Sequence, residues 1–144
     1  MEYSHFIKLV KERGNLNNEN EALRAVEATM VTLAERLAGG EPGNLAAQLP
    51  AGIKELVPGT GGGQDFGPEE FYNRVAGLEQ VNPEQASHHA RAVMATVAEA
   101  ISGGESVDLM SQLPVEYGQI FYVGGDNLAQ PENWRGPGAG GPAV

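Results

Sequence analysis

"AGGEPGNLAAQLP", Ala38–Pro50, returns 64 residues later as "SGGESVDLMSQLP", Ser102–Pro114. The likeness extends both ways. Ala22–Val57 aligns without a gap on Ala86–Phe121, and 13 of the 36 positions are identical, among them Met30, Thr32, Glu35, Glu41 and Gln48. Upstream, one residue of slack sets Phe6 against Phe71 and Val10 against Val75. Self-similarity at a fixed offset marks repeated architecture. The chain therefore reads as helical repeat 1 (3–57), a Gly-rich flexible linker (58–67), helical repeat 2 (68–123) and a flexible Gly/Pro-rich tail (124–144).

Within a unit the apolar spacing is helical. Phe71, Val75 and Leu78 fall at i, i+4 and i+7, and Pro68 suits a first turn, where a missing N–H costs nothing. Phe6, Ile7 and Val10 fill the same face in the first copy. A longer helix follows. Asn18 with Glu21, and Asn82 with Gln85, form capping-box starts. Behind them run the stripes Ala22, Val26, Met30, Leu33, Leu37 and Ala86, Ala90, Met94, Val97, Ile101.

The opening motif then reads as punctuation. Gly39-Gly40 and Gly103-Gly104 stop the long helix, since glycine takes the left-handed conformation without a Cβ clash. Asn44 and Asp108 are N-caps for the short helices "LAAQL" and "LMSQL". Leu45, Leu49, Leu109 and Leu113 point inward. Pro50 and Pro114 turn the corner and open a last helix. A unit of about 50 residues buries too little apolar surface to stand alone. The expectation is one all-α bundle in which two tandem copies share a core about a pseudo-twofold axis.

Composition excludes several functions. Nineteen acidic side chains against nine basic ones leave a net charge of −10, with only three lysines. Nucleic-acid backbones and anionic membrane surfaces demand clustered Lys and Arg. No apolar run approaches the ~18 residues of a spanning segment. The start "MEYSHFIKLV" lacks the features of a signal peptide, so a cytoplasmic location is expected. Without cysteine there is no thiolate chemistry or disulfide.

The N-terminal "F..V", the capped long helix and "GGE…DLMSQLP.EY..IF" closely resemble the bacterial domain-of-unknown-function family numbered 2267, over about residues 3–123. The resemblance implies an all-helical tandem repeat; the family has no established activity, so no catalytic residue is carried over. The first copy departs from the pattern with "EPGN", which delays its third helix.

Reactive groups are sparse. His88 and His89 project about 100° apart on one helix and cannot chelate together as an i, i+4 pair would. Only Glu84 could join His88, and both histidines read as a solvated face; the neighbours of His5 are not evident. The repeated acids Glu35/Glu99 and Glu41/Glu105 could do acid–base work or hold a cation if symmetry brought them together. Against that, Glu35 lies opposite the apolar stripe, and Glu41 and Glu105 suit helix N-termini. "GTGGGQD" lacks the Lys-Ser/Thr of a phosphate loop, and no serine stands in a nucleophile elbow. No catalytic residue, metal or cofactor is expected. The reading is a non-enzymatic scaffold or adaptor that binds another protein or itself, with Trp134 in the tail as anchor. The alternative is a small-ligand or metal-binding protein with a pocket between the repeats.

Overall fold

The ten stripe residues of the two long helices are all buried, none more than 2% exposed. In the computed structural model, which describes residues 1–123 and 126–127, eight of them lie in two helices of 18 residues, α2 (Glu19–Arg36) and α5 (Pro83–Ala100), and Leu37 and Ile101 directly follow those helices. Each is preceded by a 12-residue helix, α1 (Tyr3–Gly14) and α4 (Pro68–Glu79), and followed by a short one, α3 (Glu41–Ala46) and α6 (Gly103–Ser111). A 3-10 segment ends each run, Lys54–Leu56 and Val115–Phe121. Among the described residues the regular structure is all-helical save for a short antiparallel ladder, β1 (Tyr122–Val123) with β2 (Asp126–Asn127). Asp126–Asn127 thus pairs with the end of repeat 2; the rest of the proposed tail, including Trp134, lies outside the described residues.

Local chemistry explains the helix starts. The Asn18 side chain accepts the Glu21 N–H at 2.9 Å, and Asn82 accepts the Gln85 N–H at 2.8 Å. In α5 the box closes, because the Gln85 side chain accepts from the Asn82 N–H. Each such cap is worth about 1 kcal/mol. α1 and α4 both end on a left-handed, non-glycine residue, Asn15 and Gln80.

Packing crosses between the copies. α1 lies mainly on α5, and α4 on both α2 and α5; α2 touches α5, and α3 touches α6. One apolar cluster takes in both copies, from Phe6 and Val10 to Ile120 and Phe121. Its aromatic centre is Phe71 edge-on to Tyr117, ring centroids 5.9 Å apart. The Tyr117 hydroxyl donates to the Phe66 carbonyl at 2.6 Å, and Arg36 Nε donates to the same oxygen at 2.8 Å.

Three expectations are corrected. Leu78 is 55% exposed, and Glu79 takes the buried place below Val75. Phe71, Val75 and Glu79 are spaced i, i+4, i+8, and that row is the one that faces inward. Asn44 and Asp108 lie inside α3 and α6 and cap neither. The Ser102 hydroxyl accepts the Glu105 N–H at 3.1 Å, so α6 begins at Gly103, and Gly40 takes the cap position of α3. Gly103 and Gly104 consequently form the first turn of α6 rather than a stop after α5, which already ends in extended Ile101. Gly39 does adopt a left-handed φ of +59°.

Leu49 and Leu113 are 4% and 8% exposed, beside Pro50 and Pro114 at the corners. Leu49→Ala and Leu113→Ala should each destabilise the fold by about 2–3 kcal/mol, the low end for buried leucines because a corner near solvent relaxes. Paired urea midpoints measure this; unchanged midpoints would mean that the corners carry no packing energy.

Candidate functional site

The repeated motif brings polar positions shared by its two copies to one seam, where α3 meets α6. At its edges the Gln48 side chain of the first copy accepts the Ser102 N–H of the second at 2.6 Å. Reciprocally, the Gln112 side chain of the second accepts the Ala38 N–H of the first at 3.0 Å. These four positions correspond under the 64-residue offset. Each QLP glutamine therefore satisfies a backbone donor just past the long helix of the other copy, where an unpaired N–H would cost stability.

Within the seam stand Glu41 and Glu105, 6% and 7% exposed. Glu41 opens α3 and Glu105 lies in the first turn of α6, and the two helices touch. The Oε2 atom of each is buried without a hydrogen-bond partner. Burial first, then the bond to Glu41 and its charge, then the charge of Asp108, push the Glu105 carboxyl up to about 8. Both acids do lie in the first turns of their helices, and there they are buried in the seam. Among the described residues, no group of three or more His, Asp or Glu is placed to hold a metal ion. Two carboxyls alone supply too few oxygens for a calcium-type site.

The other repeated acids join the copies through arginine. Arg13 of α1 meets Glu99 of α5 at 2.5 Å and donates to Thr96 Oγ1 at 3.1 Å. Arg74 of α4 meets Glu35 of α2 at 3.2 Å and Glu70 at 2.9 Å. Glu35 is 40% exposed at its side chain and Glu99 only 18%, so the exposure expected of this pair holds for Glu35 alone.

His88 is exposed, as is His5. His89 is not solvated. Its Nδ1 lies 2.6 Å from Oε2 of Glu79, and the other Glu79 oxygen is buried without a partner. A carboxylate at stripe spacing is the sequence signal for this pair, since such a group needs a partner when buried. The first copy has Gly14 and Ala25 at the matching positions.

One groove of about 470 Å³ opens on the first copy, lined by Tyr3, Leu23, Arg24, Glu27, Ala51, Gly52 and Leu56. Tyr3, Leu23 and Leu56 are half-buried there, and Arg24 and Glu27 are exposed. The second copy has Ser87 in place of Leu23, and Ile120 in place of Leu56 is buried. No helix among the described residues is long and apolar enough to cross a membrane.

A protein-family model described as "Uncharacterized conserved protein (DUF2267)" matches residues 3–120. No curated protein matches the chain. The match covers both copies of the motif and every helix from α1 to α6, and the chain belongs to the DUF2267 family.

Proposed function

We propose that this protein is a non-enzymatic helical scaffold that binds another protein, or itself, in a cytoplasmic setting. The observation that carries the reading is the groove on the first copy. Its apolar wall of Tyr3, Leu23 and Leu56 is half-open, and Arg24 and Glu27 offer both signs of charge to a polypeptide. Ligand sites are clefts with an apolar lining and a few placed polar groups. This one brings no His, Ser or second carboxylate for acid–base work, which favours a bound segment over a substrate. Trp134 is proposed as a second anchor, since a large rigid side chain buries area at small entropic cost.

The alternative, a small-ligand or metal protein with its pocket between the repeats, would use the Glu41–Glu105 seam. That seam offers two carboxyls and no third ligand among the described residues.

The test is retention from an extract of the source cell on immobilised wild type and on Leu23→Glu. A protein held by the wild type should be lost by the variant, with the melting temperature of the variant within a few degrees. Identical retention on both would remove the groove from the proposal. A thermal-shift screen with divalent cations decides the alternative: a rise abolished by Glu41→Gln would favour it.

A further inference from the structure

The geometry points to a proton-operated clasp: Glu41 and Glu105 hold α3 against α6 while they share one proton, and the seam opens when that proton leaves. Both acids come from the same motif position, one per copy, and both are more than nine-tenths buried. Their Oε2 atoms are buried with no hydrogen-bond partner, and α3, which carries one acid, touches α6, which carries the other. Two ionised carboxylates offer only acceptors, so these oxygens can be partnered across the seam only with a proton between them. Without it, two like charges would face each other in a dry seam, where repulsion is strong.

Among the described residues no basic side chain offsets that charge, which only the helix N-termini favour. Glu41 from α3 and Asp108 from α6 are the ionisable groups that act on Glu105, and both are acidic. Among the described residues no Arg, Lys or His pairs with either glutamate; the ion pairs join Arg13–Glu99, Arg36–Asp65, Arg74–Glu35, Arg74–Glu70 and His89–Glu79. A structural cation is a poorer occupant than a proton, because the seam holds no third acidic ligand.

The direction of the pH effect follows. Glu105 titrates near 8 in the fold against 4.5 for an ordinary glutamate. A folded-state value above the unfolded one means that the native state binds the extra proton. The contribution is complete below about pH 4.5, declines as pH rises, and is gone above about 8. The loss is felt at the seam first. The amides of Ser102 and Ala38 are held there by Gln48 and Gln112, and they lose those bonds when α3 and α6 part.

Hydrogen exchange of these two amides between pH 6 and 9, corrected for intrinsic rates, tests the clasp in the full chain. Wild-type protection should fall by about tenfold or more across the range. Glu105→Gln should hold its protection, because the glutamine amide donates to Glu41 at every pH. Glu41→Gln should do the same from the other side, and serves if the first variant does not fold. Equal loss in wild type and variants, or no loss in the wild type, would overturn the proposal. Urea midpoints over the same range provide a second readout, with the wild-type midpoint falling relative to that of the variant.

Discussion

Residues 1–60, expressed alone, should show no cooperative melt. The reason is where α1 finds its partner. Phe6, Ile7 and Val10 are buried, yet α1 packs mainly on α5, which the fragment lacks. α2 loses its contacts with both α4 and α5, exposing Met30, Leu33 and Leu37. A remaining unit of this size buries too small a fraction of its surface to offset chain entropy. Thermal melting followed by circular dichroism should give a broad, shallow change, and sedimentation should show either an expanded chain or association through the bared stripe. Extending the fragment to residue 66 returns the backbone bonds at the end of α2 but none of the missing core, and should not restore the transition. A monomeric fragment with a sharp melt would show that each copy folds by itself.

Gly61→Ala should cost about 3–4 kcal/mol. The stretch read as a flexible linker lies along the last turn of α2. Gly61 N–H donates to Gly39, Gly62 to Ala34, Gly63 to Leu37 and Gln64 to Glu35, all to carbonyl oxygens at 2.8–2.9 Å. Ala34 and Glu35 are among the carbonyls that a helix end leaves without intrahelical partners, and Leu37 and Gly39 follow just beyond α2. A Cβ on Gly61 would stand 2.2 Å from the Leu37 carbonyl oxygen, and one on Gly62 would stand 2.8 Å from that of Glu35. Backbone cannot swing aside as a side chain does, so the segment must lift and release its four bonds, each worth about 1 kcal/mol. Gly59 is the control. A Cβ there meets nothing within 4 Å, and Gly59→Ala should leave the urea midpoint nearly unchanged. Equal, small effects at both positions would show that the segment is not held against α2.

The long helices were legible because their apolar residues recur at a period only a helix can bury, and the caps at Asn18 and Asn82 are local chemistry. Errors fell where local signals competed. Asn44 and Asp108 are good caps by type, but Ser102 and Gly40 stand earlier and start their helices first. Leu78 and Glu79 are adjacent at the end of α4; hydrophobicity favours one inward and geometry the other, and only the presence of His89 across the gap makes a buried glutamate affordable. The repeat singled out Glu41, Glu105, Gln48 and Gln112 by identity. What they touch depends on how two segments 64 residues apart meet, and periodicity carries no information about that. The glycines at 61 and 62 were visible as composition alone, which cannot tell a need for flexibility from a need for closeness.

The exchanged glutamines bear on how such a sequence can drift. Gln48 and Gln112 each bind a main-chain amide, which every residue but proline supplies. The partner positions have accordingly diverged, alanine at 38 and serine at 102, while the bond is the same in both directions. Selection through this contact falls on one member of each pair only. A glutamine lost from one copy damages the helix end of the other, and no replacement of the side chain at the damaged site can repair it. Compensation must come from the copy that carried the original lesion, so the two halves of the gene are tied in their histories even where their letters no longer agree.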